Sequence, residues 1–310
     1  MKRPLLINTD TSAGDAIALL LALDAWDADV VGVTITCGNS DFDQQVENAL
    51  YTIEVAGRGG EIPVYPGCRE PLLGPYRSVP EVWGADGMGD SGFPPARQRP
   101  ERQPAVDAIV DLAERHPGEL EIVSLGPLTN LAVTLLRRPD VARLVKAIYA
   151  MSGSLYARGN ITLGAEYNAW VDPEAARIVY RAGANLVLVP WEAAARGAFV
   201  TSAEEAEIVR LETARSRFYM QVTRVMREYT RARRRPGLVH ADALAVLVPL
   251  VPGLVRERRR MFVDIEVAGE LGRGVTFFDW NDTRSPNADV VLDVDRQLVV
   301  ESLQRVLARR

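Results

Sequence analysis

Short apolar runs rich in β-branched residues alternate along this chain with longer segments of helical periodicity. The predicted strands cover residues 4–8, 30–35, 121–125, 147–151 and 186–189. The predicted helices cover residues 15–25, 43–56, 105–115, 128–136 and 173–182. This alternation is typical of βαβ units around a parallel sheet. Because no internal repeat, linker or composition break interrupts the 310 residues, we predict a single α/β domain over residues 1–310, with a Rossmann-like, mostly parallel sheet flanked by helices.

The last third of the chain departs from this alternation. Residues 201–235 form a long helical segment in the sequence pattern, and Thr201-Ser202 followed by acidic residues is a typical start of a helix. The last fifty residues contain the strand-like runs MFVDIEV, GVTFFDW and ADVVLDV, and a closing helix is predicted from Arg296. We therefore expect a long helical segment, then several strands, then a final helix.

The charge balance and the apolar runs exclude several classes of partner. The chain has 36 Lys and Arg against 41 Asp and Glu, a net charge of −5, so no overall field favours nucleic acid or an anionic membrane. No apolar run approaches the roughly 18 residues that span a bilayer, and Asp10 follows the basic start of the chain too soon for a signal peptide. Cys37 and Cys68 are interpreted as reduced structural thiols. These features predict a cytoplasmic protein.

Polar residues gather directly after several predicted strands. Asn8 and Asp10 end the first strand, Asn39 follows the second, SLGPLTN follows a middle strand, and RGNITLGAEYNAW comes after the next. Ligands of open α/β sheets bind at these carboxyl ends. A sheet edge that is rich in Asp, Asn and Glu and poor in His and Lys suits a hard cation and a polyhydroxylated ligand.

The stretch NTDTSAGDA, residues 8–16, joins the first predicted strand to the first helix. Asp10 leaves the strand, and Asp15 lies in the first turn of the helix, where the helix dipole favours negative charge. Both carboxylates can face one point from either side of the turn. Taken alone, the pair is also explained by a turn residue and a helix cap, so its interpretation depends on the rest of the chain.

Six segments, in the right order along most of the chain, resemble the inosine–uridine-preferring nucleoside hydrolases, a family of calcium-dependent N-ribohydrolases. NTDTSAGDA resembles the family's D-x-D-P-G-x-D-D-A motif, and TCGNSDFDQQVENAL resembles its glycine–asparagine loop and following helix. Further similar segments are WGADGMG, SLGPLTNLA, GNITLGAEYNAWVDPEAARIV, HADALAV and GVTFFDW with SPNADVVLDVD. The resemblance implies the nucleoside hydrolase fold and hydrolysis of the N-glycosidic bond of a nucleoside.

Carried over residue by residue, the resemblance implies a calcium site and a ribose site. The implied Ca²⁺ ligands, all oxygen donors as calcium requires, are Asp10, Asp15, Asp242 and the backbone carbonyl of Leu125. A water and two ribose hydroxyls would complete the coordination, and Asp10 would take a proton from that calcium-bound water. The side chains implied to hold the ribose hydroxyls are Asn39, Asn160, Glu166 and Asn168.

The chain departs from the family motif on the sugar side of the site. Gly14 stands where the family has the aspartate that accepts a hydrogen bond from the ribose 2′-hydroxyl, and Asn8 replaces the motif's first aspartate. An unpaired buried hydroxyl costs roughly 1–3 kcal/mol. We therefore expect weaker discrimination against 2′-deoxyribonucleosides, a substrate with an altered 2′ group, or another acid, such as Asp41 or Asp86, in this role. The alternative is a catalytically weakened homologue that binds a nucleoside or ribose without efficient turnover. The complete metal and ribose sets favour retained catalysis.

The leaving-group side also differs from one subgroup of the family, which has a histidine directly before the helix aspartate. Ala241 occupies that position here, and His240 lies one residue earlier. An offset of one residue turns a helical side chain by about 100°, but we keep His240 in the predicted substrate-binding set. Trp83, which occupies another histidine position of the family, belongs to the same predicted set. The aromatic residues available to stack on a flat, purine-like or modified base are Trp83, Trp191, Tyr167 and Tyr229.

The arginine run REYTRARRRPG, residues 227–237, has two interpretations. It is either a solvated helix end and loop, since helices often end in cations, or a mobile lid over the base. A dinucleotide-binding enzyme is excluded because no G-x-G-x-x-G turn follows the first strand. The sequence thus predicts a calcium-dependent N-glycosidase of purine and pyrimidine salvage that acts on a small-molecule nucleoside as a homodimer or homotetramer, without nucleic-acid or membrane partners.

Overall fold

Strands and helices alternate through most of residues 2–309, which are the residues that the computed structural model describes. The strands are β1 (Arg3–Thr9), β2 (Ala28–Ile35), β3 (Val64–Pro66), β4 (Glu121–Ser124), β5 (Ala147–Met151), β6 (Leu186–Val189), β7 (Phe199–Val200), β8 (Leu238–Val239), β9 (Val255–Met261), β10 (Val263–Ile265), β11 (Thr276–Phe278) and β12 (Ala288–Val294). The helices are α1 (Ala13–Leu23), α2 (Phe42–Val55), α3 (Pro80–Trp83), α4 (Ala105–Arg115), α5 (Thr129–Arg137), α6 (Val141–Leu144), α7 (Tyr167–Val171), α8 (Pro173–Arg181), α9 (Trp191–Gly197), α10 (Ser202–Arg210), α11 (Ala214–Val222), α12 (Arg224–Ala232), α13 (Ala241–Leu250) and α14 (Arg296–Leu307). None of these helices, within the part of the chain described, is both long and apolar enough to cross a membrane.

The main sheet of the described residues has eight strands in the order β3-β2-β1-β4-β5-β6-β12-β9. Neighbouring strands of this sheet pair in parallel, except for β12 and β9, which pair antiparallel. The strand order reverses at β1, where the chain crosses to the other half of the sheet through β4, and doubly wound sheets bind ligands at such a switch point. The predicted Rossmann-like, mostly parallel sheet is therefore confirmed.

Apolar layers cover both faces of this sheet. Leu5 and Ile7 of β1 pack in the cluster that contains α1, α2, α13 and α14, whereas Leu6 packs in the opposite cluster with α4, α5 and α8. Strands that are buried on both faces form continuous apolar runs, which explains why β1 shows no apolar–polar alternation. Because both faces are filled, the carboxyl ends of the strands are the place for a polar site.

Helix α1 follows β1 after the short link of residues 10–12 and is buried along its whole length. Its N-cap is Ser12, whose hydroxyl and backbone N–H both donate to the Asp15 carboxylate, at 2.8 and 3.0 Å. This arrangement satisfies polar groups at the start of the helix. The apolar residues that follow pack α1 against α13. The link that carries Asp10 is therefore held between two rigid elements.

Two parts of the C-terminal third differ from the sequence-based prediction. The long helical segment expected over residues 201–235 is divided into α10, α11 and α12. Thr213 caps the start of α11 through its side chain, whereas Thr223 precedes α12 without a side-chain capping bond. Strand β9 falls on the run VRERRRM, which has no apolar periodicity, and was not predicted. It lies at the edge of the sheet, where most of its side chains are exposed, so its sequence does not need an apolar face.

The two edges of the main sheet are short or charged. The edge strand β3 has only three residues. The other edge strand, β9, carries four arginines and one glutamate, and its Arg256 and Arg259 pair with Asp295 and Asp282. Short strands and charged side chains at a sheet edge oppose pairing with another chain.

Candidate active site

A cavity of about 220 Å³ opens at the carboxyl ends of the central strands. The residues after β2, β4 and β6 that line it are Asn39, Leu125 and Trp191, and Met151 at the end of β5 joins them. Helices α3, α7, α12 and α13 supply the other walls, through residues that include Trp83, Asn168, Tyr229 and Asp242. The polar residues that follow separate strands therefore converge on one cavity, as the strand-end pattern predicts.

Asp10 is fully buried at the carboxyl end of β1, next to the cavity-lining Asn39. Its Oδ2 accepts a hydrogen bond from the backbone N–H of Asn39 at 2.9 Å. Its Oδ1 has no hydrogen-bond partner within residues 2–309. A Cβ on Gly38 would lie 1.9 Å from Oδ2, so the loop after β2 approaches Asp10 this closely only because residue 38 is glycine. A buried carboxylate oxygen without a partner is costly, so a ligand at Asp10 Oδ1 would remove that cost.

Asp15 and Asn39 belong to one hydrogen-bond network. Asp15 accepts from the Thr9 hydroxyl at 2.7 Å and from Ser12, as described for the start of α1. Asn39 donates through Nδ2 to Ser12 Oγ at 3.1 Å and to Asp15 Oδ2 at 3.4 Å. The side-chain oxygen Oδ1 of Asn39 accepts from the indole N–H of Trp83 at 2.9 Å. These bonds fix both side chains in place without a ligand, as a preorganised site requires.

Gly14 allows Asp242 and Trp83 to pack against the start of α1. A Cβ at Gly14 would lie 2.5 Å from Asp242 Oδ2 and 3.2 Å from Trp83 Cη2. The space that an aspartate side chain would need at this position is therefore occupied by the carboxylate of α13 and the indole of α3. The sequence showed only that an acceptor is missing at Gly14, whereas the structure shows what fills the space.

Asp242 lines the cavity, whereas Asp10 and Asp15 are buried and are not among its described lining residues, although the charges of the three carboxylates interact. Burial raises the pKa of all three carboxyls, and the charge of Asp15 raises the pKa of the other two further. The group is not a ready-made metal cage, because no three His, Cys, Asp or Glu side chains of the described residues are grouped closely enough to hold an ion. Both Asp15 oxygens already accept hydrogen bonds, so Asp15 would have to share one of them. The donor chemistry, three carboxylates beside a backbone carbonyl, fits a hard cation.

The side chains implied to hold ribose line the same cavity. Asn168 donates to the Leu125 carbonyl at 2.6 Å and to the carbonyl at the end of β5, which ties α7 to two strand ends. Glu166 accepts from the backbone N–H of Asn168 at 3.0 Å, and burial raises the pKa of Glu166 to about 7. Asn160 accepts from the N–H of Tyr167 at 2.9 Å. The structure therefore brings together Asn39, Asn160, Glu166 and Asn168.

The loop between β5 and α7 is anchored by Glu192, a residue that the sequence did not single out. Glu192 lies in the first turn of α9 and is buried. Its carboxylate accepts from the Ser154 hydroxyl at 3.0 Å and from the backbone N–H groups of Leu155 and Tyr156 at 2.7 and 3.1 Å. The same loop carries Asn160 to the cavity. Glu192 is therefore a positioning residue, and only its place directly after β6 could have suggested it.

His240 does not line the cavity, so the prediction that it binds substrate is corrected. Its ring is buried, and Nε2 lies 3.0 Å from the hydroxyl of Tyr219, which is itself buried. Its Nδ1 has no hydrogen-bond partner among residues 2–309. Burial lowers the pKa of His240 to about 4, so the ring is neutral near pH 7. The one-residue offset turns the histidine into the core, and Ala241 lines the cavity instead.

The two acids considered as substitutes for an aspartate at position 14 do not line the cavity among the described residues. Asp41 caps α2 and accepts from two backbone N–H groups at the start of that helix. Asp86 accepts from three backbone N–H groups of the loop that follows it. Both carboxylates stabilise local backbone, so neither supplies the missing acceptor.

One face of α12 forms a wall of the cavity. Met226, Tyr229, Thr230 and Arg233, spaced three and four residues apart, line it together, and Arg235 joins them from the loop after α12. Arg233 is exposed and Arg235 is half-buried, and both also line the cavity, so this part of the arginine run does more than face solvent. Trp83, Trp191 and Tyr167 add further aromatic surface to the lining.

Comparisons with known proteins agree on one family. A family model described as inosine-uridine preferring nucleoside hydrolase matches residues 5–301. The inosine-uridine preferring nucleoside hydrolase of Leishmania major is 31% identical over 318 residues, which cover 99% of each chain. A plant nucleoside hydrolase of known structure superposes with a TM-score of 0.93 and 28% identity over 100% of both chains. The structure of a purine-preferring ribonucleoside hydrolase from Gardnerella vaginalis superposes with a TM-score of 0.91 and 27% identity over 99% of this chain and 98% of that chain. The chain therefore belongs to the inosine-uridine preferring nucleoside hydrolase family and is an N-ribohydrolase.

Proposed function

We propose that this N-ribohydrolase hydrolyses the N-glycosidic bond of a nucleoside in the cavity next to β1 and β4, with Ca²⁺ as its metal. The observation that carries the proposal is the fully buried Oδ1 of Asp10, which lacks a hydrogen-bond partner within residues 2–309. The family supports the reaction type, and the chemistry of the donors supports the ion. The proposed Ca²⁺ ligands are Asp10, Asp15, Asp242 and the carbonyl of Leu125.

Calcium suits this donor set because every proposed ligand is a hard oxygen atom. When bound, the ion would lower the pKa of a water, hold sugar hydroxyls and offset the repulsion among the carboxylates. Asp10 Oδ1 is available for it, and Asp242 reaches the start of α1 across Gly14. Asp15 would share an oxygen that now accepts from Thr9 or Ser12.

Asp10 is the proposed base for the attacking water. Its Oδ1 is the acceptor for the proton, because Oδ2 already accepts from the N–H of Asn39. As the proton moves to Asp10, the water oxygen adds to the anomeric carbon, the carbon–nitrogen bond breaks, and its electron pair leaves with the base. Asp10 is thus the one proposed catalytic residue.

Asn39, Asn160, Glu166 and Asn168 are proposed to bind the sugar hydroxyls. Each is held by a hydrogen bond to its surroundings, so little reorganisation is needed when the sugar binds. Glu192 supports this set by fixing the loop that carries Asn160.

A flat, purine-like or modified base is proposed to stack on the aromatic wall of the cavity. Trp83, Trp191 and Tyr229 all line it, and stacked rings hold a heterocycle without a specific hydrogen-bond pattern. Ala241 offers no proton to the leaving base, and His240 is buried away from the cavity. A base that leaves readily as a stacked ring is therefore favoured over one that needs a histidine acid.

Gly14 and Ala241 also favour a second candidate function, in which the protein binds a nucleoside with little turnover. At position 14 the family resemblance implies an acceptor for the ribose 2′-hydroxyl, which Gly14 lacks. At position 241 the resemblance to one subgroup implies a histidine that donates a proton to the base, which Ala241 cannot do. Both functions share the cavity and the sugar-binding set, so they differ only in whether base is released.

Release of free base from a nucleoside panel separates the two functions. The purified chain is incubated with inosine, guanosine, uridine and 2′-deoxyinosine, with Ca²⁺ and with a chelator, and free base is measured by chromatography. We expect base release that stops with the chelator, returns with Ca²⁺, and accompanies one calcium per chain in elemental analysis. Binding without base release would support the second function, and bound zinc would contradict the calcium site.

Two matched variants test the role of Asp10. Asp10→Asn keeps the size of the side chain but removes the base, so we expect kcat to fall on the order of 10²–10⁴-fold. Asp43→Asn makes the same change at an exposed position in the first turn of α2 and should leave kcat unchanged. Equal kcat in wild type and Asp10→Asn would remove Asp10 from the mechanism.

We also propose that the protein forms a homodimer or homotetramer and acts in the cytoplasm in purine and pyrimidine salvage, as the family resemblance implies. Light scattering after size-exclusion chromatography tests the assembly. A mass of 34.1 kDa at all concentrations would contradict it.

A further inference from the structure

Two arginines at the end of α12 form part of the cavity wall. Arg233, the exposed C-cap of the helix, and Arg235, half-buried in the following loop, are among the residues that line the cavity, whereas Arg231 and Arg234, which are also exposed, are not among the described lining residues. Arg233 lies four residues after Tyr229, on the helix face that forms the wall. Two arginines of the run therefore lie at the cavity, and one of them, Arg233, is also exposed to solvent.

Aromatic rings hold both cavity arginines. The Cζ of Arg233 lies 3.5 Å from the centre of the Tyr229 ring. The Cζ of Arg235 lies 5.4 Å from the centre of the Trp191 ring and 5.7 Å from that of Tyr229. Such cation–π contacts use the flat face of a guanidinium and leave the N–H donors at its rim free. The side chains are thus oriented without their hydrogen-bonding capacity being used.

Neither of these guanidiniums has an acidic partner within residues 2–309, in contrast to the other arginines nearby. Arg224 and Arg227 of α12 pair with Asp90 and Glu205. Arg77, which also lines the cavity, pairs with Glu81 at 2.7 Å. The described part of the chain therefore leaves two positive charges at the cavity that its own carboxylates do not neutralise.

The cavity has charges of opposite sign on different walls. Asp242 and Glu166 line it beside the buried Asp10 and Asp15, and this acidic part is where the cation and the sugar are proposed to bind. The wall formed by the end of α12 is basic. A ligand that matches both parts has a polyhydroxylated centre and a negatively charged substituent. Two guanidiniums bind phosphate or carboxylate oxygens in paired, charge-assisted hydrogen bonds.

We propose that the substrate is a nucleoside that carries an anionic group, a phosphate or a carboxylate, and that Arg233 and Arg235 bind this group. The proposal rests on the proposed function, because the ribose must occupy the same cavity. Two kinds of substrate have this chemistry: a nucleoside with a phosphate on its 5′-oxygen and a nucleoside with a carboxylate on its base.

The reaction on such a substrate is the same hydrolysis and needs no further reactant. One water is consumed: its oxygen bonds to the anomeric carbon and keeps one proton as the new hydroxyl, and the carbon–nitrogen bond breaks with its electron pair leaving on the base. The second proton, taken up by Asp10, is returned through solvent to the departing base. A 5′-phosphorylated substrate gives the free base and ribose 5-phosphate, with the phosphate ester intact. A base-carboxylated substrate gives ribose and the carboxylated base.

Two matched pairs of substrates test the proposal and distinguish a 5′-phosphate from a carboxylate on the base. Base release is measured for inosine against inosine 5′-monophosphate, and for uridine against orotidine, which carries a carboxylate on the same ring. A hydrogen bond to a charged group contributes about 1.5–3 kcal/mol, so kcat/KM should be at least about tenfold higher for the anionic member of one pair. Preference in the first pair assigns a 5′-phosphate, and preference in the second assigns a base carboxylate. Equal or lower values for both anions would overturn the proposal.

Charge-removing variants test whether the two arginines cause the preference. Arg233→Gln and Arg235→Gln should each lower the ratio of anionic to neutral kcat/KM by about tenfold or more. Arg234→Gln removes a charge one residue away at an exposed position and should leave the ratio unchanged. If all three variants lower the ratio equally, general charge rather than a site explains it, and the proposal is wrong.

Calorimetric titration with the same four compounds keeps the proposal testable if no base is released from any of them. In that case the hydrolytic function fails, while tighter binding of an anionic compound that is lost in Arg233→Gln would still support the anion site. Equal affinities for the charged and neutral compounds would refute the anion site independently of turnover.

Discussion

Gly14→Ala should damage the site while leaving the fold intact. The added Cβ would lie 2.5 Å from Asp242 Oδ2, and ordinary contact begins near 3.4 Å, so the carboxylate must retreat by about 0.9 Å. Trp83, at 3.2 Å, needs to move much less. A displacement of about 1 Å at a reacting site costs on the order of 10²-fold in rate. We therefore expect kcat/KM to fall about 100-fold.

The free energy of unfolding should change much less than the activity. Gly14 is the second residue of α1, and alanine in place of glycine in a helix gains roughly 0.5–1 kcal/mol, which offsets part of the strain from moving Asp242. The melting temperature measured by circular dichroism should therefore stay within a few degrees of wild type. Calcium affinity, measured by calorimetry, should weaken together with kcat/KM, because Asp242 is a proposed ligand.

A glycine outside the site provides the matched control. The Cβ of Gly269→Ala would meet Glu266 Cγ at 3.4 Å, an ordinary contact, and should change neither activity nor calcium affinity. If Gly14→Ala retains kcat/KM within about threefold of wild type, Asp242 is not held against α1 as described, and the reasoning fails. Gly14→Asp has the same Cβ, so it should also lose activity rather than improve a ribonucleoside substrate, contrary to what the missing acceptor alone suggests.

Three further predictions concern separate parts of the chain. Glu192→Gln places an amide N–H₂ against backbone N–H groups, so KM for a nucleoside should rise roughly 10–100-fold with a smaller change in kcat. The exposed Glu207→Gln should change neither constant, and an unchanged KM in Glu192→Gln would contradict the anchoring role. Burial raises the pKa of Cys37 to about 12 and of Cys68 to about 11, so at pH 8 both thiols should react with iodoacetamide far more slowly in the native protein than in urea. Mass spectrometry follows the labelling, and rapid labelling of either thiol in the native protein would contradict its burial. The ratio of kcat/KM for inosine to that for 2′-deoxyinosine should be smaller than in a relative with the full aspartate pair, and a ratio as large would show that another group binds the 2′-hydroxyl.

The central sheet could be predicted because its strands are buried on both faces. Runs such as LLI in β1 are apolar regardless of which face each residue meets, so the five predicted strands lie within two residues of their observed bounds. Strand β9 could not be found in this way, since its RERRR sequence is stabilised by pairing with β12 and by surface ion pairs. The helix break at Thr213 depends on local capping, and the break at Thr223 falls within an otherwise helical pattern.

The site was predictable only as far as strand ends determine it. Asp10 and Asn39 lie close together because the carboxyl ends of parallel strands meet at one edge of the sheet, and Asn168 of α7 is held there by hydrogen bonds to the carbonyls of Leu125 and Met151. The contact of Gly14 with Asp242 joins residues that are far apart in the sequence, and no local pattern contains it. The same holds for the anchoring of the β5–α7 loop by Glu192.

The charged edge strand β9 has a consequence for how copies of this chain can associate. A sheet that ends in three residues on one side and in a row of arginines on the other cannot be continued by a neighbouring molecule's backbone without burying those charges. We therefore expect an assembly through side chains of helices and loops rather than by continuation of the main sheet at β9. We expect its stability to respond to salt and to single surface substitutions, as side-chain interfaces do.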